Sequence, residues 1–564
     1  MIYFNQVGYL PDAKKLAITT HHADTFCLCE RQTGKMVFEG VLKPFHDGKP
    51  DAASGDITYR ADFSDFRAAG EYTLHIGNIV SEPFAIQKNA YHNLKIALIR
   101  SYYFQRCGCA LTAKHAGQFA HACCHHAPAA LWDNPSVQIE LSGGWHDAGD
   151  YGRYVTAAAT ALAHLLYAFS LFPDRFPDHL NIPESGNGTP DLLNECRYEL
   201  TWLLKMQRAD GGVFHKVSTW RHAPFIMPEC DTAPLLAYAV ATPATAAFAA
   251  ITALASRIYA PYDAKFADKL KAAALLSWDF LQEHPEFIAF TNPPGSGTGE
   301  YGDSSDRDER FWAAAELFSL TGEKRFLEVF LSLYQEDFSK TALGYAATGG
   351  FGALSFYFNP VFAGISLDGK YFVPSAQGEF RNSKILPATQ DMHAVRERIR
   401  KDFLTAADHC LFLTTQSAYP AAMSEHDYHW GSNMTLMNNG ILLILGYLFT
   451  GNSDYREAAL AQLHYLLGCN ALGYSYVTGF GARSCRRPHM RTVFADGIDE
   501  PIPGFVSGGP NARPSDEPGR RLIPAGTPPM KCYVDEYGCY SLNEVTIYWN
   551  SPAVFVTAFF DEAL

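Results

Sequence analysis

No run of roughly 18 uninterrupted apolar residues occurs in this sequence, so a membrane-spanning helix is not expected. Lysine and arginine never cluster beyond a few residues. With 45 basic against 59 acidic residues the net charge is −14, which disfavours a nucleic-acid partner. The opening MIYFNQVGYLPDAKK has no charged stretch followed by an apolar one, so no secretory leader is read and a cytoplasmic location is expected. No fixed-period repeat is visible, which disfavours a regular solenoid. Cysteine is present but unpatterned. Its 13 copies are odd in number and scattered, which argues against a complete disulfide framework and fits a reducing compartment or a metal site.

What is present is apolar and aromatic. Hydrophobic residues make up 48% of the 564, and aromatics 14%, with 39 Phe, 30 Tyr and 8 Trp. That length exceeds one ordinary core, so more than one domain is expected. Residues 1–88 alternate in short runs (KLAITT, TFCLCE, MVFEG, GEYTLHIG, SEPFAIQ) separated by turn-rich stretches, the pattern of a small β-sandwich. From residue 89 to 564 the period changes. Segments such as VTAAATALAHLLYAFSLF, LLNECRYELTWLLKMQR and NNGILLILGYLFTG carry apolar residues at three- and four-residue spacing. About ten to twelve helices are predicted, and their similar lengths suggest helical hairpins arranged in a barrel.

Five constellations could carry chemistry. In GGWHDAGDYGRY, Asp147 and Asp150 stand three apart among glycines, with Trp145 and Tyr151 beside them. Such a carboxylate pair can hold a water and take its proton; alternatively the two acids cap the following helix. In YVDEYGCYSLNEVTIYWNSPAVF, Asp535 and Glu544 sit among tyrosines that include Tyr540. A Glu desolvated by rings stays protonated as a general acid; alternatively Glu544, read as opening an apolar helix, serves the helix dipole. His489 and Arg491 close a Gly-rich loop and could bind sugar hydroxyls; alternatively the segment is a plain surface loop. Cys107, Cys124, His125 and His146 would make a closed tetrahedral zinc site, with Cys109, His121, Cys123 and His126 as competitors and unmetallated thiols as the alternative. Finally, Glu184, Asn187 and Asp191, and Asp303, Asp306 and Asp308, form oxygen-rich loops of the kind that bind calcium, although turn and cap chemistry explains them better.

Together these segments resemble glycoside hydrolase family 9, over nearly the whole chain. FNQVGYLPDAKK is similar to the immunoglobulin-like domain that precedes the catalytic domain in one branch. IPESGNGTPDLLNE, HWGSN and PIPGFVSGGPN are similar to framework segments. Residues 475–491 fit the family's histidine signature and 533–551 its acidic signature. The resemblance implies a multidomain chain: an N-terminal β-sandwich (immunoglobulin-like) at 1–88, followed by an all-α (α/α)6 barrel at 89–564. It implies inverting hydrolysis of a β-glycosidic bond, with Asp150 as base, Asp147 as its helper, Glu544 as acid and His489 at the active site. Trp145, Tyr151, Arg491, Asp535 and Tyr540 would contact an oligosaccharide. Cys107, Cys124, His125 and His146 would hold a structural zinc; calcium also occurs in the family, and no organic cofactor is expected. The layout resembles a cytoplasmic branch acting as exo-β-D-glucosaminidase on chitosan-type oligosaccharides, with a cellodextrinase or endoglucanase as the alternative. A non-catalytic sugar-binding protein would lack an acid or a base, and this chain keeps both.

Overall fold

The computed structural model describes residues 1–359 and 389–561. Its contacts divide the chain into two compact units, residues 1–101 with 406–564, and residues 102–405.

In the first unit the N-terminal strands form two antiparallel sheets. One runs in the order Ile2–Tyr3, Leu16–Thr19, Tyr59–Asp62, Lys43–Pro44. The other runs Met36–Val41, Thr25–Glu30, Gly70–Ile76, Ile79–Val80, with Phe84–Ile86 also paired to Gly70–Ile76. All five predicted runs are strands, and Tyr59–Asp62 is an addition. Alternation is the cause: Phe26, Leu28, Tyr72, Leu74, Ile76, Phe84 and Ile86 point inward to one core. The last of these strands ends at Ile86 and the first long helix begins at His92. The sandwich is tied into its unit by polar contacts. Asp51 accepts from the Ala418 amide at 2.9 Å, and Asp56 accepts from Tyr419 and Lys531 at 2.9 and 2.6 Å. The same unit holds a hairpin of Ser432–Thr450 and Ser453–Leu466, against which Ile547–Phe560 packs.

In the second unit Thr242–Tyr259 and Ala264–Glu283 form one hairpin, and Arg307–Thr321 and Lys324–Tyr334 another. Connections this short force antiparallel neighbours, the repeating element of the predicted barrel. Twelve α-helices of nine or more residues occur among the described residues, as predicted. Ala264–Glu283, Lys324–Tyr334 and Gly349–Tyr357 were not read from sequence. A five-stranded sheet of two- and three-residue strands was also missed: Gln138–Ile139, Ala129–Leu131, Leu236–Ala237, Lys216–Ser218, Arg153–Tyr154. Strands this short have no readable period. Among the described residues no helix is long and apolar enough to cross a membrane, and all thirteen cysteines are unpaired.

Candidate active site

Candidate residues occur in both units, and each set is built locally. In the second unit, the chain from Gln105 to Cys107 runs beside the chain from Gly144 to Ala148. The Cys107 amide donates to the Gly144 carbonyl at 2.8 Å, the His146 amide to the Gln105 carbonyl at 2.7 Å, and the Gln105 side chain to the Ala148 carbonyl at 3.0 Å. Gly144 is required here. Its φ is +76°, and a Cβ would lie 2.7 Å from the Trp202 ring. The loop then turns back on itself, with the Asp147 amide donating to the Gly152 carbonyl at 2.9 Å and the Gly152 amide to Asp150 Oδ1 at 2.6 Å.

This geometry removes the capping reading of the Asp pair. The helix Val155–Leu171 begins after Tyr154 with no side-chain cap, so neither Asp147 nor Asp150 caps it. Asp147 is 1% exposed. Its Oδ2 accepts from the Tyr301 hydroxyl at 2.5 Å, while its buried Oδ1 has no protein partner. Burial drives the Asp147 carboxyl well above its ordinary range; the Tyr301 bond opposes this, and the Asp150 charge adds to it. Around Asp150 stand His222, with Nδ1 3.6 Å from Oδ1, and the Lys216 ammonium. Lys216 is buried, donating to Asn292, Thr298 and the Gly299 carbonyl at 2.6, 2.9 and 2.6 Å. Burial pulls it down to about 7, against the charges of Asp150 and Glu300. Tyr301, Lys216 and His222 were missed in the sequence because each lies 60 or more residues from the Asp motif. Only the pairing of Tyr154 with Lys216 across the small sheet brings the lysine's strand alongside.

Two expected sugar contacts in this unit do other work. Trp145 is 1% exposed and packs on Tyr102, with ring centroids 4.6 Å apart, so it is a core residue with no face for a sugar. Burying the Trp145 ring holds the loop down from beneath. Tyr151 lays its ring on His125 and His146 at 5.1 and 4.9 Å and donates its hydroxyl to the Ile226 carbonyl at 2.6 Å.

Cys107, Cys124, His125 and His146 meet as predicted, all buried, with ligand atoms within 4.8 Å of one another. Two thiols and two imidazoles fit a soft or borderline cation with four protein ligands and no open position. His125 Nε2 faces Asp231 at 3.2 Å, leaving Nδ1 toward the cluster. Asp231 is placed to orient His125 were that imidazole to bind a metal, and its position in sequence carried no signal of that role. Among the competitors, Cys123 is exposed and His121 Nδ1 donates to the Ala122 carbonyl at 2.7 Å.

Of the acidic loops, the first is satisfied internally. Asp191 accepts from the Leu180 amide and Ser185, both at 2.6 Å, and Glu184 is paired with Arg106 at 2.8 Å. The second is different. Asp306 pairs with Arg310 at 2.9 Å, and Asp308 accepts from the Thr348 amide at 2.6 Å. Glu309 is 0% exposed with both carboxylate oxygens unpartnered, and Asp303 Oδ2 is buried and unpartnered as well. Burial raises Glu309 well above its ordinary value, and the charges of Asp308 and Asp303 add to this. Unpaired buried carboxylates facing like charge fit a hard, oxygen-seeking dication such as calcium. Added calcium is expected to raise the unfolding temperature by several degrees in calorimetry, and Glu309→Ala to abolish that rise.

In the first unit, two distant segments converge. His489 and Glu544 are bridged as parallel strands, and the His489 amide donates to the Asn543 carbonyl at 3.0 Å. On the other side the Gly508 amide donates to the Glu544 carbonyl at 2.8 Å. Gly509 makes that approach possible: its φ is +94°, and a Cβ would meet Asn433 at 2.6 Å. Glu544 does not open a helix, as the sequence had suggested. It follows the short helix Tyr540–Asn543, and the next helix starts at Ile547 with Thr546 as its cap. Its carboxylate therefore has no helix-dipole role. His489 Nδ1 lies 2.5 Å from the Tyr537 carbonyl, which can only accept, so that nitrogen carries the proton. Arg491 is buried at the start of the helix Arg491–Ala495. Tyr540 lies between the His489 ring, 5.8 Å away, and the exposed Trp430 ring, 5.4 Å away, an edge where a sugar face can stack. Asp535, expected to contact substrate, is occupied. It accepts from Tyr474 at 2.6 Å and from the Arg486 and Arg487 amides at 2.8 and 2.9 Å, and so fixes the loop leading to His489.

Comparisons with known proteins bear on the family and the fold. Residues 91–557 match the model of glycosyl hydrolase family 9, and residues 1–81 that of the cellulase N-terminal ig-like domain. The chain is 38% identical to a cellodextrinase of Butyrivibrio fibrisolvens over 98% of both chains. Among solved structures it is similar to AaCel9A in complex with cellobiose-like isofagomine, with a TM-score of 0.89 and 35% identity over 100% of both chains. It is also similar to a Zn-binding triple mutant of the family 9 endoglucanase J30, with a TM-score of 0.87 and 34% identity over 98% of this chain and 99% of that one. The chain belongs to glycoside hydrolase family 9: it is a glycosidase with an N-terminal immunoglobulin-like β-sandwich and an all-α catalytic domain of the (α/α)6 class.

Proposed function

We propose that this enzyme hydrolyses short β-1,4-linked gluco-oligosaccharides with inversion at the anomeric carbon. Asp150 takes a proton from water as its oxygen bonds to the anomeric carbon. Asp147 steers that water, and Glu544 protonates the departing glycosidic oxygen. Single displacement calls for the two carboxyl groups to stand about 6.5–9.5 Å apart with the water between them. The observation that carries this reading is the Asp loop: a buried Asp147 oxygen without a protein partner, beside an Asp150 that no helix claims as a cap. His489, Arg491, Tyr540 and Trp430 hold the sugar. Zinc is the metal of the Cys/His set, where it would tie together the two chains that carry the base; it takes no part in the reaction.

Of the substrates considered, glucans are supported over amino sugars by the names of the relatives, above all the cellodextrinase. The exo-β-D-glucosaminidase reading rests on the layout of the chain. Thirteen unpaired cysteines suit a reducing compartment and a diet of imported oligosaccharides. Incubation with cellotetraose and with chitosan tetramer, followed by proton NMR, tests all of this. The expected result is turnover of cellotetraose with the α-anomer appearing first. Early β-anomer would exclude inversion, and preferential release of glucosamine would restore the amino-sugar reading.

The Tyr301 hydroxyl serves this scheme by holding Asp147. Tyr301→Phe is expected to lower kcat about 10–100-fold, the cost of leaving a buried carboxyl oxygen without its hydrogen bond, with little change in KM. Steady-state kinetics on cellotetraose check it, and an unchanged kcat would remove Tyr301 from the mechanism.

A further inference from the structure

Beneath the Asp loop lies a carboxylate that the proposed chemistry does not use. Glu199, on the helix Asp191–Met206, is 0% exposed. One turn earlier on the same helix, Glu195 is buried too, but it is paired with the Arg106 guanidinium at 2.8 Å. Glu199 has no such partner. Its Oε2 accepts from the Trp145 amide at 2.5 Å, and its Oε1 has no hydrogen-bond partner in the protein. The nearby cation, Arg153, gives Nη1 to the Leu141 and Gly143 carbonyls at 2.6 and 2.8 Å. A buried carboxylate held by one amide is costly to keep, and leucine would fill the space more cheaply.

The amide it holds is the informative one. Three successive amides in this loop each have a separate anchor: Trp145 on Glu199, His146 on the Gln105 carbonyl, Asp147 on the Gly152 carbonyl. The last two anchors are backbone and follow from chain pairing. The first is a side chain from a distant helix, and it sits directly before His146 and Asp147. We infer that Glu199 is a positioning residue for hydrolysis, which sets the height of the Asp147–Asp150 loop through the Trp145 amide. The inference rests on the functional reading above for its effect on rate, but not for its effect on the loop.

Three variants test it. Glu199→Gln keeps an oxygen facing the amide. Glu199→Ala removes it, and Glu199→Asp withdraws it by one methylene while keeping the charge. On cellotetraose, the Ala and Asp variants are expected to lose about 10–100-fold in kcat, the cost of misplacing a reacting group by about 1 Å. KM and bound metal should stay near wild type, and Gln should restore most of the rate. In parallel, hydrogen exchange should show lost protection over residues 144–147 in the Ala and Asp variants and retained protection in Gln. A wild-type rate in Glu199→Ala, or a Gln variant as slow as Ala despite native metal content, would overturn the inference. If the wild type does not turn over cellotetraose, the functional reading fails and exchange alone decides. Unchanged protection at 144–147 in all three variants would then sink the positioning role.

Discussion

Glu544→Gln is expected to lower kcat on cellotetraose by about 10²–10⁴-fold, and Asp150→Asn by a similar factor, with KM close to wild type in both. The two losses should separate on an activated substrate. A 2,4-dinitrophenyl cellobioside leaves as a stable phenolate and needs no proton, so the Glu544→Gln enzyme should recover most of its rate. The Asp150→Asn enzyme should not, because its water still has no base. Reversal of this pattern would exchange the roles of the two carboxyls. Retention of full activity by either variant on cellotetraose would end the single-displacement scheme. The structure makes both substitutions mild in shape. The backbone of Glu544 is fixed by its neighbours His489 and Gly508, and a glutamine keeps the length and shape of the side chain. Asp150 does accept one backbone bond, from Gly152, which an asparagine oxygen can still receive.

The second large effect is on the metal. The intact protein should carry about one zinc ion per chain by mass spectrometry of its metals, since four ligands close one tetrahedral site. Cys107→Ser should lose the ion. Asp231→Ala, which frees His125 to rotate, should keep all four ligands yet weaken zinc about 10–100-fold in a chelator competition. Loss of the ion would leave a thiol-imidazole cluster without its central charge and would loosen residues 105–107 from 144–148, which their hydrogen bonds alone would then join. Protection from hydrogen exchange should fall there while the N-terminal sandwich keeps its own. Catalysis should fall with it, through the Asp loop. A metal-free protein of native stability and activity would reduce the cluster to packed thiols, and bound copper or iron in place of zinc would correct the identity of the ion.

Asp231 shows why part of this site could be read early and part could not. Cys107, Cys124, His125 and His146 announce themselves by residue type, because few pairings other than a metal make sense of so many thiols and imidazoles near one Asp motif. Asp231 is one of 59 acidic residues, and nothing local distinguishes it. Tyr301 and Glu199 are alike in this. A tyrosine hydroxyl or a buried carboxylate gains its role from what lies opposite, and contacts made across 154 or 54 residues leave no trace in spacing. Trp145 errs the other way. An aromatic beside two aspartates looks like a sugar platform, yet burial of its ring is what holds the loop down.

Alternation of apolar residues settled most strands of the sandwich, and three- and four-residue spacing settled most of the long helices, because those periods are local properties of the backbone. Residue chemistry in order along the chain also settled the family and named Asp147, Asp150, His489 and Glu544. What waited for the folded molecule was the work of each side chain. Folding showed that the two aspartates do not cap a helix, that Glu544 lies outside one, that Asp535 clasps its own loop and that Tyr301 grips Asp147. Burial and hydrogen-bond partnership are set by neighbours from elsewhere in the chain, and those exist only once the helices have packed.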